Sequence, residues 1–454
     1  MEGFFLLSLL DIGQKKRMMK NILLLGAGKS ATALIKYLLG HAETADWQLT
    51  LVDQHPAIAA QKAANHPRAV LLSFDIQDGS TRRQQIQQAN LVISLLPPSL
   101  HLLVAQDCIA LRRNLLTASY LSEALQALAP EIARAGILMM GEMGLDPGID
   151  HMSAMRAINR IRAEGGAITA FESFCGALVA PESDDNPWHY KISWSPQALL
   201  TAGAAGATFR KNGKLQRRTY AELFTDCPEI AIPAAGTFAF YPNRDSERYA
   251  RLYQLNEVPT ILRATLRHPA FCRGWGMVVR LGLTDQKKEW ETNHLTYKNW
   301  LLNQLRQAGA MAEKSRLMEG DDPLHRQFAF LGLTDDALIG KDRQTSGAIL
   351  MSQLHRKLAL QPDDRDMVVM LHRITHQESG RTKILQSVLN VKGRNGTDTA
   401  IAETVGLPLG IMARLLLSGK ISLTGLHIPV LPEVYEPVLA QLEKEGIRFQ
   451  EYVH

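Results

Sequence analysis

The six residues GAGKSA, Gly26 to Ala31, limit what this chain can fold into more than any other part of it. The unbroken apolar run NILLL, Asn21 to Leu25, stands before them, and a helical pattern follows to about Leu39. An apolar run without alternation suits a strand covered on both faces, the condition of a parallel sheet. A G-x-G-x-x-A turn between such a strand and a helix has a definite task for each small residue. Gly26 permits the tight turn, Gly28 lets the backbone approach a pyrophosphate, and Ala31 lets the helix pack close to the strand. Lys29 and Ser30 fall at the start of that helix, whose free N–H groups and positive dipole end suit phosphate. The motif alone is weak, because glycine turns also join strands to helices for purely structural reasons. Its context strengthens it. The next apolar segment, LTLVD, ends in Asp53, 22 residues beyond Ala31, where an acidic residue should meet the ribose hydroxyls of a dinucleotide. Capping the end of a strand is the competing role for Asp53.

The alternation of strand and helix continues. AVLLSFD ends in Asp75, LVISLLPP leads into a helix after Pro98, NLLTASY ends at Tyr120, and ILMMGEMG runs from Ile137 to Gly144. Strands separated by helical stretches imply right-handed crossovers and a parallel sheet, with ligands at the carboxyl ends of the strands. On this reading one crevice gathers Gly26, Gly28, Lys29, Ser30 and Ala31 with the strand ends at Asp53, Gln54 and His55. Asp75 and Ile76, Leu95, Thr117 and Ala118, and Leu145, Asp146 and Pro147 complete the expected cofactor side.

The remainder is bounded by simpler counts. At 454 residues the chain needs two or three domains. Its 50 basic and 45 acidic residues leave a net charge of only +5, and no basic block carries interleaved aromatics, so a nucleic-acid partner is not expected. The four cysteines, Cys108, Cys175, Cys227 and Cys272, are too scattered for a disulfide framework or a structural metal site. No metal and no membrane are expected, and a cytoplasmic setting is. Residues 1–18 read as a disordered extension or a misplaced start, since Met18 and Met19 stand directly before the first strand.

The expected fold class is α/β: an N-terminal Rossmann doubly wound parallel sheet plus an α/β substrate domain with a helical insertion. Residues 19–145 form the Rossmann domain, 146–255 with 361–430 the α/β substrate and dimerisation domain, and 256–360 the helical domain. Residues 431–454 are a C-terminal segment that can return to the Rossmann domain.

Four irregular loops sharpen the reading: EMGLDPGIDH (Glu142 to His151), CGALVAPESDDNPWHYKISWSP (Cys175 to Pro196), FYPNRDS (Phe240 to Ser246) and RATLRHPAF (Arg263 to Phe271). Together with DRDMVVMLHRI and the stretch from Glu403 to Lys420 they resemble the saccharopine reductases, the glutamate-forming saccharopine dehydrogenases, over nearly the whole chain from Met19. The resemblance implies a Rossmann domain, a substrate and dimerisation domain, a helical domain, and a homodimer. It implies an enzyme that reversibly joins L-glutamate to the aldehyde of 2-aminoadipate 6-semialdehyde, reducing the imine with NAD(P)H. The alternatives are a related imine-reducing enzyme acting on a carboxylated polyamine or opine-like substrate, and a non-catalytic cofactor-sensing protein.

Saccharopine carries several carboxylates, so its site needs fixed guanidinium groups. Arg244 and Arg267 match family positions at the substrate, with Thr265 and Leu266 in the same segment. Ser119 and Tyr120 match the loop beside the nicotinamide, where fungal members usually carry a second serine in place of Ala118. Asp146 matches a position touching both cofactor and substrate, Ser195 matches a cofactor contact, and Trp194 is placed near the nicotinamide. Imine formation needs proton transfers at a carbinolamine, and Asp146, Cys175 and Tyr120 are the ionisable candidates, with no unique base among them. His151 reads as a cap or packing histidine. One departure bears on the cofactor. Fungal members show Cys-Arg after the second strand, whereas this chain has Asp53, Gln54 and His55, and a carboxylate there favours NAD(H) over the family's usual NADP(H).

Overall fold

The computed structural model describes residues 19–340 and 342–454; the expectation about residues 1–18 lies outside them. Six parallel strands run in chain order: β1 (Lys20–Leu25), β2 (Trp47–Val52), β3 (Ala69–Leu72), β4 (Leu91–Ser94), β5 (Asn114–Thr117) and β6 (Leu138–Met140). With a seventh strand, Gly425–His427, they form one sheet in the spatial order 425–427, β6, β5, β4, β1, β2, β3. The order reverses between β1 and β4, which is where an open α/β sheet leaves a crevice for ligands. Helix α1 (Thr32–Gly40) follows the glycine loop, and α2 (Pro56–Ala63) follows β2. The expected doubly wound sheet is thus present, and the strand ends expected to converge do so.

A ten-stranded mixed sheet forms the second body. At its centre Ala167–Val179 pairs with Thr260–Arg267 on one side, in parallel, and with Asp366–Glu378 on the other, antiparallel. The strand Thr260–Arg267 falls inside the range read as helical. Ile261, Leu262, Ala264 and Leu266 are buried along it, and its register against both Phe240–Pro242 and Ala170–Cys175 satisfies its backbone as a central strand. Helices from Pro269–Arg280 to Ser346–Lys357 gather around a separate core containing Trp188, Trp275, Trp300 and Phe328.

The last 60 or so residues stitch the two sheets together. Helix Ala400–Leu417, read as part of the substrate domain, packs on α1. Two glycines allow this close approach: a Cβ at Gly406 would lie 2.7 Å from the Leu34 nitrogen, and one at Gly410 would lie 2.6 Å from the Tyr37 ring. That helix has the length and apolar character of a membrane span, but 72% of it is buried inside the protein. The strand that returns to the parallel sheet is Gly425–His427, ahead of the segment expected to do so. Residues 431–454 go elsewhere: helix Pro432–Lys444 packs on Ile149–Ala163, and Phe449–Val453 pairs with Arg381–Lys392 at the edge of the mixed sheet. Strand Phe449–Val453 is half-buried at Phe449 and Tyr452 and exposed elsewhere, as suits a sheet edge, whereas Gly425 donates to the Ile137 carbonyl and so starts the pairing beside β6.

Candidate active site

The glycine loop sits at the switch point between β1 and β4. Gly26 has φ +96°, and a Cβ there would lie 2.9 Å from the Leu95 carbonyl oxygen, so only glycine fits. At Gly28 a Cβ would meet nothing within 4 Å, leaving the open cradle that close approach of a ligand requires. Asp53 binds the loop from below. Its Oδ2 accepts from the Ala27 N–H at 2.7 Å and its Oδ1 from the His55 N–H at 2.8 Å. Gln54 and His55 are exposed just beyond. Asp75 and Ile76 follow β3 at the same end of the sheet, Asp75 accepting from the Gln77 N–H and Ile76 buried.

A cavity of about 650 Å³ opens beside this loop. Gly28, Lys29, Ser30 and Ala31 form one wall, Leu95, Ala118 and Ser119 the floor, and Trp194 and Ser195 the wall from the second body. The Lys29 ammonium donates to the Ile192 carbonyl at 3.2 Å and ties the two walls together. Thr117 is buried and its hydroxyl accepts from the Ser119 N–H at 3.2 Å, shaping the floor.

A second, larger cavity of about 1460 Å³ adjoins the first, and Ser119 lines both. Arg217, Arg218, Arg244, Arg248 and Arg251 face it against only three acids, Glu123, Glu222 and Asp245, so it favours an anionic occupant. Arg244 is exposed, at φ +52°, with its guanidinium 4.7 Å from the centre of the Tyr120 ring. Arg248 is held from behind by the buried Glu142, to which it donates at 2.6 Å.

Beneath Tyr120 lies a buried charge cluster. The Tyr120 hydroxyl donates to Asp146 Oδ1 at 3.2 Å, and Arg263 bridges Asp146 and Asp150, reaching the latter at 3.0 Å. Arg263 also lies 3.8 Å over the Tyr249 ring. The loop carrying Asp146 closes tightly, because a Cβ at Gly148 would lie 2.1 Å from the Gly144 oxygen. Burial raises the Asp146 carboxyl above the usual range although Arg263 opposes this, and burial pushes the Tyr120 phenol up. Leu145 is buried beside the cluster and Pro147 follows Asp146 into the closed loop.

The structure therefore brings Gly28, Lys29, Ser30, Ala31, Leu95, Ala118, Ser119, Tyr120, Arg244 and Ser195 to two adjoining cavities, with Asp146 in the cluster beneath Tyr120. It leaves Cys175, Leu266 and Arg267 off their walls. Cys175 lies buried on the central strand, paired with Thr265 and Met370, and burial pushes its thiol well up. Leu266 is fully buried, and Arg267 is buried, donating to the Leu266 carbonyl and stacking near Tyr190 and Phe271. The same strand supplies Arg263, two residues from Thr265 and facing the cluster, which sequence reasoning passed over. Its signal was present only as one more arginine in RATLR.

Two histidines complete the surroundings. His151 packs as expected of a structural histidine, but it also pairs with Glu142 at 2.8 Å and with the Tyr253 hydroxyl at 2.9 Å. Burial would raise the Glu142 carboxyl, but hydrogen bonds and charge from His151 and Arg248 outweigh it and hold the group below its usual range. His101 is fully buried between Ser94 and Ser119, at 2.9 and 2.8 Å. Burial lowers it to about 4, so its ring is neutral at ordinary pH.

The family description for the saccharopine dehydrogenase NADP binding domain matches residues 22–140, and that for the saccharopine dehydrogenase C-terminal domain matches residues 144–447. The chain belongs to the saccharopine dehydrogenase family. It is 34% identical over 95% of its length, and 99% of the relative's, to "Saccharopine dehydrogenase [NADP(+), L-glutamate-forming]" of Saccharomyces cerevisiae. A solved structure of the apo, histidine-tagged saccharopine dehydrogenase (L-Glu forming) from that yeast superposes with a TM-score of 0.85 at 32% identity, covering 96% of this chain and all of that one. It is also 34% identical to the mitochondrial alpha-aminoadipic semialdehyde synthase of Bos taurus, of which it spans 48%. The junction of the two cavities at Ser119 thus falls where the two matched saccharopine dehydrogenase domains meet.

Proposed function

We propose that this chain is an L-glutamate-forming saccharopine dehydrogenase of lysine metabolism, interconverting saccharopine with L-glutamate and 2-aminoadipate 6-semialdehyde. The observation that carries the reading is the junction at Ser119, where a crevice built on a phosphate-binding turn meets an arginine-lined groove. A nicotinamide nucleotide fits the first: Gly28 leaves room for its pyrophosphate, and the start of the helix at Lys29–Ala31 supplies N–H groups. When bound it supplies the acceptor or donor of hydride. The groove suits a substrate with several carboxylates, with Arg244 over the Tyr120 ring and Arg248 among the cations that line it.

Proton transfer at the carbinolamine falls in this proposal to Asp146, whose burial gives it proton affinity above that of an ordinary carboxyl. Tyr120 donates to it and sets its orientation, and Arg263 keeps it in place. Cys175, a thiol held neutral by burial off the cavity walls, is left without a proton-transfer role. The homodimer and the cytoplasmic setting belong to the same proposal.

On the cofactor, the proposal is NADP(H). The yeast relative's name carries NADP(+), and the matching N-terminal domain is described as NADP-binding, which supports NADP(H) over the NAD(H) that Asp53 suggested. A physical reason for the discrepancy is at hand, since both carboxylate oxygens of Asp53 already accept backbone N–H bonds. The test is to incubate purified protein with saccharopine and follow reduced-cofactor absorbance with NADP and NAD side by side. Turnover yielding glutamate, faster with NADP, is the expected result. No turnover with either would reject the reaction and direct a screen toward other amine–aldehyde pairs.

A further inference from the structure

A preference for a 2′-phosphate would be opposed by Asp53 unless a cation stood close to it. Lys62 is the basic residue of α2, in its last turn. Its ammonium reaches back to the glycine loop and donates to the carbonyls of Ala27, at 2.8 Å, and Gly28. Ala27 is the same residue whose N–H binds Asp53. Cation and carboxylate therefore flank a single residue of the loop, and each feels the other's charge. The two neighbours beyond Asp53, Gln54 and His55, are exposed and contribute no fixed cation.

The partners of Lys62 are also weaker than its charge allows. It is half-buried, it donates to neutral carbonyls, and burial lowers it to about 8 even with Asp53 pulling the other way. An ammonium in that state gains from any anion placed beside it, and a phosphate dianion is a stronger acceptor than a peptide carbonyl.

We propose that Lys62 is the residue that selects a 2′-phosphorylated nicotinamide nucleotide in this chain, offsetting Asp53 and engaging the 2′-phosphate next to the glycine loop. The inference rests on the reading of the switch-point crevice as the nucleotide site. It assigns to α2 the role that an arginine directly after β2 would otherwise fill.

Calorimetric titration with 2′,5′-ADP and with 5′-AMP tests it without any turnover. The intact chain is expected to bind 2′,5′-ADP at least about tenfold more tightly than 5′-AMP, the worth of one charge-assisted hydrogen bond. Lys62→Met should remove that ratio while leaving the 5′-AMP affinity within about threefold, and Lys62→Arg should keep it. Equal weakening of both nucleotides by Lys62→Met, in protein with an unchanged melting temperature, would make Lys62 a brace of the loop and overturn the proposal. So would an intact chain that does not distinguish the two. Failure of both nucleotides to bind the intact chain would instead reject the crevice as a nucleotide site, and the proposal with it.

Discussion

The cofactor crevice and the substrate groove share one residue, Ser119, and are built on opposite plans. The crevice is made mostly of backbone: Gly26 and Gly28 leave space, Asp53 takes main-chain N–H groups, and Lys62 takes main-chain carbonyls. The groove is made of side chains from far-apart segments, and the cluster beneath it joins Arg263 to Tyr120, Asp146 and Asp150, and Arg248 to Glu142, over sequence separations above 100 residues. A backbone site tolerates substitution around it as long as the turn closes. A buried ionic site does not, because each charge depends on the others for its solvation.

The largest effect that would sharpen this contrast is on the groove side. Arg263→Met leaves Asp146 and Asp150 buried without their shared cation, and should cost about 3–5 kcal/mol in urea unfolding, together with most of the activity. A loss under about 1 kcal/mol would mean the cluster is solvated and the contrast false.

A slightly smaller effect tests the junction itself. His101 is lowered to about 4 in the folded chain, below the ordinary histidine value, so the unfolded chain binds more protons between those limits. Stability from this group is therefore present above about pH 6.5 and is lost as pH falls toward 4, by about 3 kcal/mol in all. Urea unfolding at pH 7 and pH 5 should show a smaller pH dependence in His101→Asn than in the parent. Identical slopes would show that the ring is not held neutral between Ser94 and Ser119.

The smallest of the three separates the two cavities. Arg244 is exposed, and among the described residues its guanidinium meets only the face of Tyr120, so Arg244→Ala should leave the melting temperature nearly unchanged. It should raise KM for saccharopine by about tenfold or more, with the nucleotide affinity unaltered. A matched loss in nucleotide binding would mean the two sites are not separable at Ser119.

Strands β1 to β6 were legible because each carries a short run rich in apolar residues followed by a turn, a pattern that local burial imposes, whereas the short strand Gly425–His427 carries none. The strand Thr260–Arg267 was not legible either, since it lies in a long run of helical segments and is a strand only because Ala167–Val179 and Gly236–Pro242 stand on either side of it. The helix Ala400–Leu417 could be seen as a helix, but not that its glycines press it against α1. In the site, Arg244, Tyr120 and Asp146 could be placed by resemblance, while Arg263 and Lys62 could not.

The amino-acid order alone specifies the phosphate-binding turn, the acidic strand end behind it and the family to which the irregular loops belong. These are local: a glycine without a Cβ or a strand without polar residues carries its meaning in its own neighbourhood. Tertiary contacts alone show that Asp53 accepts backbone N–H groups of the loop on which Lys62 also closes, that Cys175 and Arg267 turn into the interior, and that Arg263 stands beneath Tyr120. Charges act through distance in space and through burial, and neither is a property of position along the chain.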